Sequence, residues 1–84
     1  MHEVLLGTAA EKDLDKLPKS IFARIIKELK KLAENPRPIG SRKIVGSMSD
    51  WRARVGDYRI VYEIREDEKV VRVMRIKHRR EAYR

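Results

Sequence analysis

The chain has 84 residues, no cysteine and a net charge of +8 at pH 7. That bounds it to a single small domain, residues 1–84, and excludes disulfides and thiolate metal sites. Two histidines far apart, His2 and His78, do not make a zinc motif, and no apolar run approaches the ~20 residues of a membrane span.

No metal, cofactor or membrane is therefore expected, and without a signal-peptide pattern the expected location is cytoplasmic. Hydrophobic residues at 42% are too many for a disordered chain, so a folded domain is expected. The positive charge is uneven. Residues 1–40 hold eight Lys/Arg against six Asp/Glu, and residues 41–84 hold thirteen against seven. A basic half on a small domain points to a polyanionic partner, nucleic acid or an acidic protein.

In chain order, Glu3 to Gly7 reads as a short strand through Val4, Leu5 and Leu6. Thr8-Ala9-Ala10-Glu11 fits a capping box, with Thr8 and Glu11 serving each other's backbone N–H groups. Ala10, Leu14 and Leu17 then give a first helix, which Pro18 interrupts. Ile21, Phe22, Ile25, Ile26, Leu29, Leu32 and Ala33 follow the i, i+3, i+4 pattern of a second helix, ending near Asn35-Pro36. The two form an antiparallel hairpin.

After a Pro-rich connection to Gly40, Arg42 to Val45 is a strand candidate and Gly46 to Asp50 a polar loop. Trp51 to Val55 and Tyr58 to Ile64 read as two strands joined at Gly56-Asp57. A charged turn, Arg65 to Lys69, leads to a last strand, Val70 to Ile76, and a basic tail, Lys77 to Arg84. The predicted fold is α+β: an N-terminal strand, then a helical hairpin on one face of a mostly antiparallel four- to five-stranded sheet.

Alternation in the strands sorts side chains by face. Trp51, Ala53, Val55, Tyr58, Ile60, Tyr62 and Ile64 are expected to meet the helices. Val70, Met74 and Ile76 fit that face in the last strand, with Arg72 as an exception. The open face is expected to carry Arg52, Arg54, Arg59, Glu63, Arg75 and Lys77, with Val61, Val71 and Val73 between them.

Arginine presents a planar fork of donors that matches phosphate and keeps its charge at any physiological pH. A cluster of arginines on one surface suits gripping a nucleic-acid backbone and stabilising charge on a phosphate in flight. RNA brings its own nucleophile, the 2′-hydroxyl, so the protein has only to align it and move protons. His78 and Tyr83 are the residues placed to transfer protons, His78 because histidine titrates near neutrality.

The segments Lys43-Ile44-Val45-Gly46, Trp51 to Ile64, Val70 to Ile76 and His78-Arg79-Arg80-Glu81-Ala82-Tyr83 together resemble the RelE/ParE superfamily, the toxin halves of type II toxin–antitoxin pairs. The W-R-x-R-V-G-x-Y-R-x-x-Y run carries most of that likeness. The resemblance implies a RelE/ParE-like, microbial-ribonuclease-like fold and a metal-independent endoribonuclease that cuts mRNA on the ribosome. It implies catalytic roles for Arg52, Arg54, Arg59, His78 and Tyr83, and RNA contacts from Lys43, Arg75, Lys77, Arg79 and Arg80. Arg52 and Arg54 stand where the best-known branch has lysines, and arginine is a poor base. The general base is then to be sought in His78 or Tyr83. The implied partners are the ribosome, mRNA and an antitoxin, acidic and built as a helix plus an extended segment. The alternatives are a ParE-like inhibitor of DNA gyrase and a non-catalytic member that binds antitoxin or RNA.

Overall fold

The computed structural model describes residues 1–46 and 49–82. Among these the elements run β1 (Glu3–Leu6), α1 (Thr8–Asp15), α2 (Lys19–Glu34), β2 (Arg42–Lys43), β3 (Asp50–Val55), β4 (Tyr58–Arg65), β5 (Val70–His78) and α3 (Arg79–Ala82). The strands form one sheet in the order β1-β5-β4-β3-β2. β1 is parallel to β5, and the other pairings are antiparallel. This is the α+β architecture expected.

α2 buries Ile25, Leu29 and Leu32 at helical spacing, while Arg24, Lys27, Lys30 and Lys31 stay exposed. Its C-cap, Asn35, is extended at φ −143°, as a residue before proline prefers. α1 adds Ala10 and Leu14 to the core. From the sheet come Ala53, Val55, Ile60, Tyr62, Ile64, Val71, Val73 and Ile76. Burying each large aliphatic side chain of this set contributes about 1.5–3 kcal/mol. The Tyr62 hydroxyl finds its partner inside, donating to the Pro36 carbonyl at 2.7 Å.

Two expectations fail, each for a local reason. The capping box at Thr8 does not form. Gly7 is the extended N-cap and no side-chain cap bond is made. The Gly7 N–H donates to the Val73 carbonyl, so the chain is held in the sheet up to the residue before the helix. A Cβ at Gly7 would lie 3.3 Å from that carbonyl oxygen, a tight approach that favours glycine.

The facing of β5 is the second. Val71, Val73 and Ile76 are buried, whereas Val70 and Met74 are only half-buried and Arg72 points outward. The register explains it. Tyr62 pairs with Val73 but Val61 pairs with Arg75, so Met74 is an extra residue in a β-bulge. The bulge reverses the alternation halfway along the strand. Val71 and Val73 face the helices before it, and Ile76 does so after it. Arg72 is then no exception. It sits on the open side, paired with Glu63.

Where β1 stops pairing, after Leu6↔Val73, the outer edge of β5 would be bare. Asp13 of α1 covers it. Its Oδ2 accepts from the Ile76 N–H at 2.9 Å and from Arg75 Nε at 2.8 Å, and Oδ1 accepts from Arg75 Nη2 at 3.2 Å. Burial raises the Asp13 pKa, but these hydrogen bonds and the charges of Arg75 and Lys77 outweigh it, and the carboxyl lies below its usual value. The last strand runs to His78, two residues past Ile76, and the tail opens as α3 rather than as extended chain.

Candidate functional site

The helices cover one face of the sheet and leave the other open. Pairing fixes which side chains share the open face. One row across it is Arg42, Arg52, Val61 and Arg75, and the next is Arg54, Arg59 and Lys77. Rows two residues apart on a strand are separated by about 6.6 Å. A third row, Asp50, Glu63 and Arg72, lies beyond the first, so the face is basic toward the β3–β4 turn and carries its carboxylates at the far end.

Gly56 makes the tight turn at that basic end. Val55 pairs with Tyr58 across a two-residue loop in which Gly56 has φ +58°. Positive φ at the first turn residue suits a turn that follows the twist of the strands and favours glycine. Residues 54 and 59 are thereby set opposite each other.

Arg42, Arg52, Arg54 and Arg59, with Gly40, line a depression of about 290 Å³. Arg59 is its most buried side chain, at 7% exposure. Its Nη1 donates to the carbonyls of Tyr58 at 3.1 Å and Gly56 at 3.4 Å. Among the described residues none of these four arginines is in an ion pair. A guanidinium taken out of water without a counterion costs roughly several kcal/mol, and three like charges share its depression. The arrangement is set up for an anion.

The remaining candidates are dispersed. Lys77 pairs with Arg59 and stands in the second row, half-buried. Arg75 begins on the open face, but its guanidinium is turned to the sheet edge and held by Asp13. Arg79 starts α3. Its N–H donates to the Asp57 carbonyl at 2.6 Å, which ties the tail to the β3–β4 turn. Its side chain is 3.9 Å from the Asp57 carboxylate, and Arg80 is exposed. Lys43 pairs with Trp51 and so belongs to the helix side of the sheet, exposed on the edge strand. Tyr83 lies outside the described residues.

His78 is not brought to the arginines. It pairs with Tyr58 on the helix-covered side, where the two rings meet edge to face with centroids 5.2 Å apart. Its Nδ1 accepts from the Arg80 N–H at 3.3 Å. Around it lie Asp13, Lys16, Leu17, Arg75 and Glu81, in a second depression of about 310 Å³.

Arg42 was missed by the sequence reading. Its face depends on a two-residue strand whose register only the pairing with Arg52 reveals. Asp13 was missed because nothing local marks it as a partner for Arg75, 62 positions away.

The family model for the ParE toxin of the parDE type II toxin–antitoxin system matches residues 4–83. The chain belongs to the RelE/ParE family of toxins. It is 33% identical to toxin RelG of Mycobacterium tuberculosis over 87 aligned positions, spanning 99% of this chain and 97% of RelG. Its fold matches a chain of the archaeal RelE–RelB complex of Pyrococcus horikoshii with a TM-score of 0.83 and 29% identity, covering 93% of this chain and 94% of that one. The isolated RelE toxin of E. coli aligns at a TM-score of 0.83 over 99% of this chain and 96% of that one. At 22% identity that likeness is one of fold alone. This RelE/ParE toxin has its arginine depression on the sheet face that the helices leave open. No helix among its described residues is long and apolar enough to cross a membrane.

Proposed function

We propose that this toxin is a ribosome-dependent endoribonuclease that cleaves mRNA by 2′-hydroxyl attack and so arrests translation. The observation that carries the reading is Arg59, a guanidinium 7% exposed with no carboxylate partner among the described residues, sharing a depression with three further arginines. Such a planar fork of donors matches phosphate as well as carboxylate, and RNA offers a phosphate at every linkage.

In this reading the 2′-hydroxyl gives up its proton as its oxygen bonds to the adjacent phosphorus, the P–O5′ bond breaks and O5′ takes up a proton, leaving a 2′,3′-cyclic phosphate and a 5′-hydroxyl. Arg52, Arg54 and Arg59 hold the phosphate and stabilise its charge as the two oxygens exchange. Removing one such donor is expected to cost roughly 10²–10³ in rate. Tyr83, which follows α3 in the chain, is the proton-transfer group we retain. His78 acts from the other side of the sheet, by holding the start of the tail against Tyr58. Lys77, Arg79 and Arg80 supply positive charge that draws the toxin to ribosomal and messenger RNA.

The partner is an antitoxin, as in the RelB–RelE antitoxin–toxin complex of Methanococcus jannaschii, and an acidic one would complement the +8 charge of this chain. The test is primer extension on mRNA bound to translating ribosomes, with and without the toxin. New stops at discrete positions are expected, and their absence at growth-arresting doses would sink the reading.

One observation favours a second reading. The matching family model is described by its ParE members. A gyrase supercoiling assay separates the two: inhibited supercoiling with intact mRNA would transfer the assignment to a gyrase inhibitor.

A further inference from the structure

The depression extends beyond the three arginines of the reaction just proposed. Arg42 belongs to the edge strand, stands across from Arg52 and lines the same depression. The four guanidiniums fall into two cross-strand pairs, Arg42 with Arg52 and Arg54 with Arg59. The pairs are one two-residue step of β3 apart, about 6.6 Å. That is comparable to the distance between successive phosphates along an extended nucleic-acid strand. Neither pair has a carboxylate partner among the described residues.

We propose that the depression is a two-phosphate site for single-stranded RNA, with the reacting phosphate at Arg54 and Arg59, its neighbour at Arg42, and Arg52 standing between the two and serving both. The inference rests on the RNA reading above and deepens it. It gives Arg42 the role of a positioning residue. By fixing the neighbouring phosphate it sets which internucleotide linkage lies over Arg59. The exposed site of Arg42, on a strand of two residues, leaves the core untouched when it is replaced.

The probes are uncleavable 2′-deoxy dinucleotides with one internal phosphate, alone or with an added 5′- or 3′-terminal phosphate. Binding to the purified toxin is followed by NMR titration at two salt concentrations. One of the terminal phosphates is expected to improve affinity about tenfold. In Arg42→Ala that gain disappears while affinity for the one-phosphate probe is unchanged; Arg42→Lys keeps most of it. The slope of log K against log salt for the two-phosphate probe becomes shallower by about 0.7.

The proposal is overturned if neither terminal phosphate improves binding, or if the gain survives in Arg42→Ala. It is equally overturned if an acidic peptide responds to Arg42→Ala while the dinucleotides do not, since the depression would then be a protein-binding surface. Because the ligands cannot be cleaved, a failure of ribosome-dependent cleavage leaves this measurement intact, and the two readings fall separately.

Discussion

Tyr58 and His78 face each other across β4 and β5 with their rings 5.2 Å apart and nearly perpendicular, at 83°. One residue along each strand, Arg59 and Lys77 face each other on the opposite side of the sheet. Adjacent residues therefore divide two tasks, one ring pair closing the helix side and one cationic pair facing the open side. Replacing His78 by Ala removes an aromatic contact of about 0.5–1.5 kcal/mol. The expected outcome is a lower thermal midpoint with an unchanged pH profile of RNA cleavage. A profile that loses a limb near neutrality would show that His78 reaches the substrate.

Arg59 should be costly to the fold as well as useful. Its charge is buried without a counterion among the described residues, so Arg59→Met is expected to stabilise the toxin by about 1 kcal/mol while abolishing growth arrest. Denaturant melts of the two proteins, beside a growth assay, check both halves. A destabilised variant would mean that the carbonyl bonds to Gly56 and Tyr58 outweigh the desolvation of the charge.

Asp13 gives a pH dependence with a defined sign. Its folded pKa is depressed. The stability it contributes is therefore complete above the unfolded-state pKa of about 3.9 and is lost as pH falls through the folded value. Asp13→Asn is expected to cost about 1–3 kcal/mol at pH 7, most of it through the half-buried bond to the Ile76 N–H. Arg75 is 42% exposed, and its share is screened by water. The gap between wild type and variant should close toward pH 2. Urea melts across that range follow it, and a gap that stays constant would remove the charge from the account.

Tyr62→Phe isolates one buried hydrogen bond, leaving the Pro36 carbonyl without its donor. A loss of about 1–2 kcal/mol is expected, visible in the melting midpoint, with toxin activity retained.

The residues that announce the fold in sequence are those whose pattern is local. Ile25, Leu29 and Leu32 repeat within one helix, and Trp51 to Tyr62 alternates around a glycine turn. The three arginines of that hairpin were legible for the same reason, because a two-residue turn sets both strands in one register. What depended on pairing at a distance was not legible. In Val70 to Ile76, apolar residues stand at 70, 71, 73, 74 and 76. That string fits either face until Tyr62 selects Val73. Arg42 and Asp13 took their places through contacts made 10 and 62 positions away. His78 is different: two residues past Ile76, it shares the helix side by simple alternation.

The bulge at Met74 has an evolutionary consequence. It separates β5 into a segment answerable to the core, Val71 and Val73, and one that presents Arg75 and Lys77 outward, each with its own phase. Substitutions at Arg75 and Lys77 leave the packing of Val71 and Val73 alone, whereas Ile76 between them is tied to the core. A single-residue deletion at position 74 would take out only the extra residue of the bulge. It would leave Val73 opposite Tyr62, Arg75 opposite Val61 and Ile76 opposite Ile60, a regular alternation with Ile76 still facing the core.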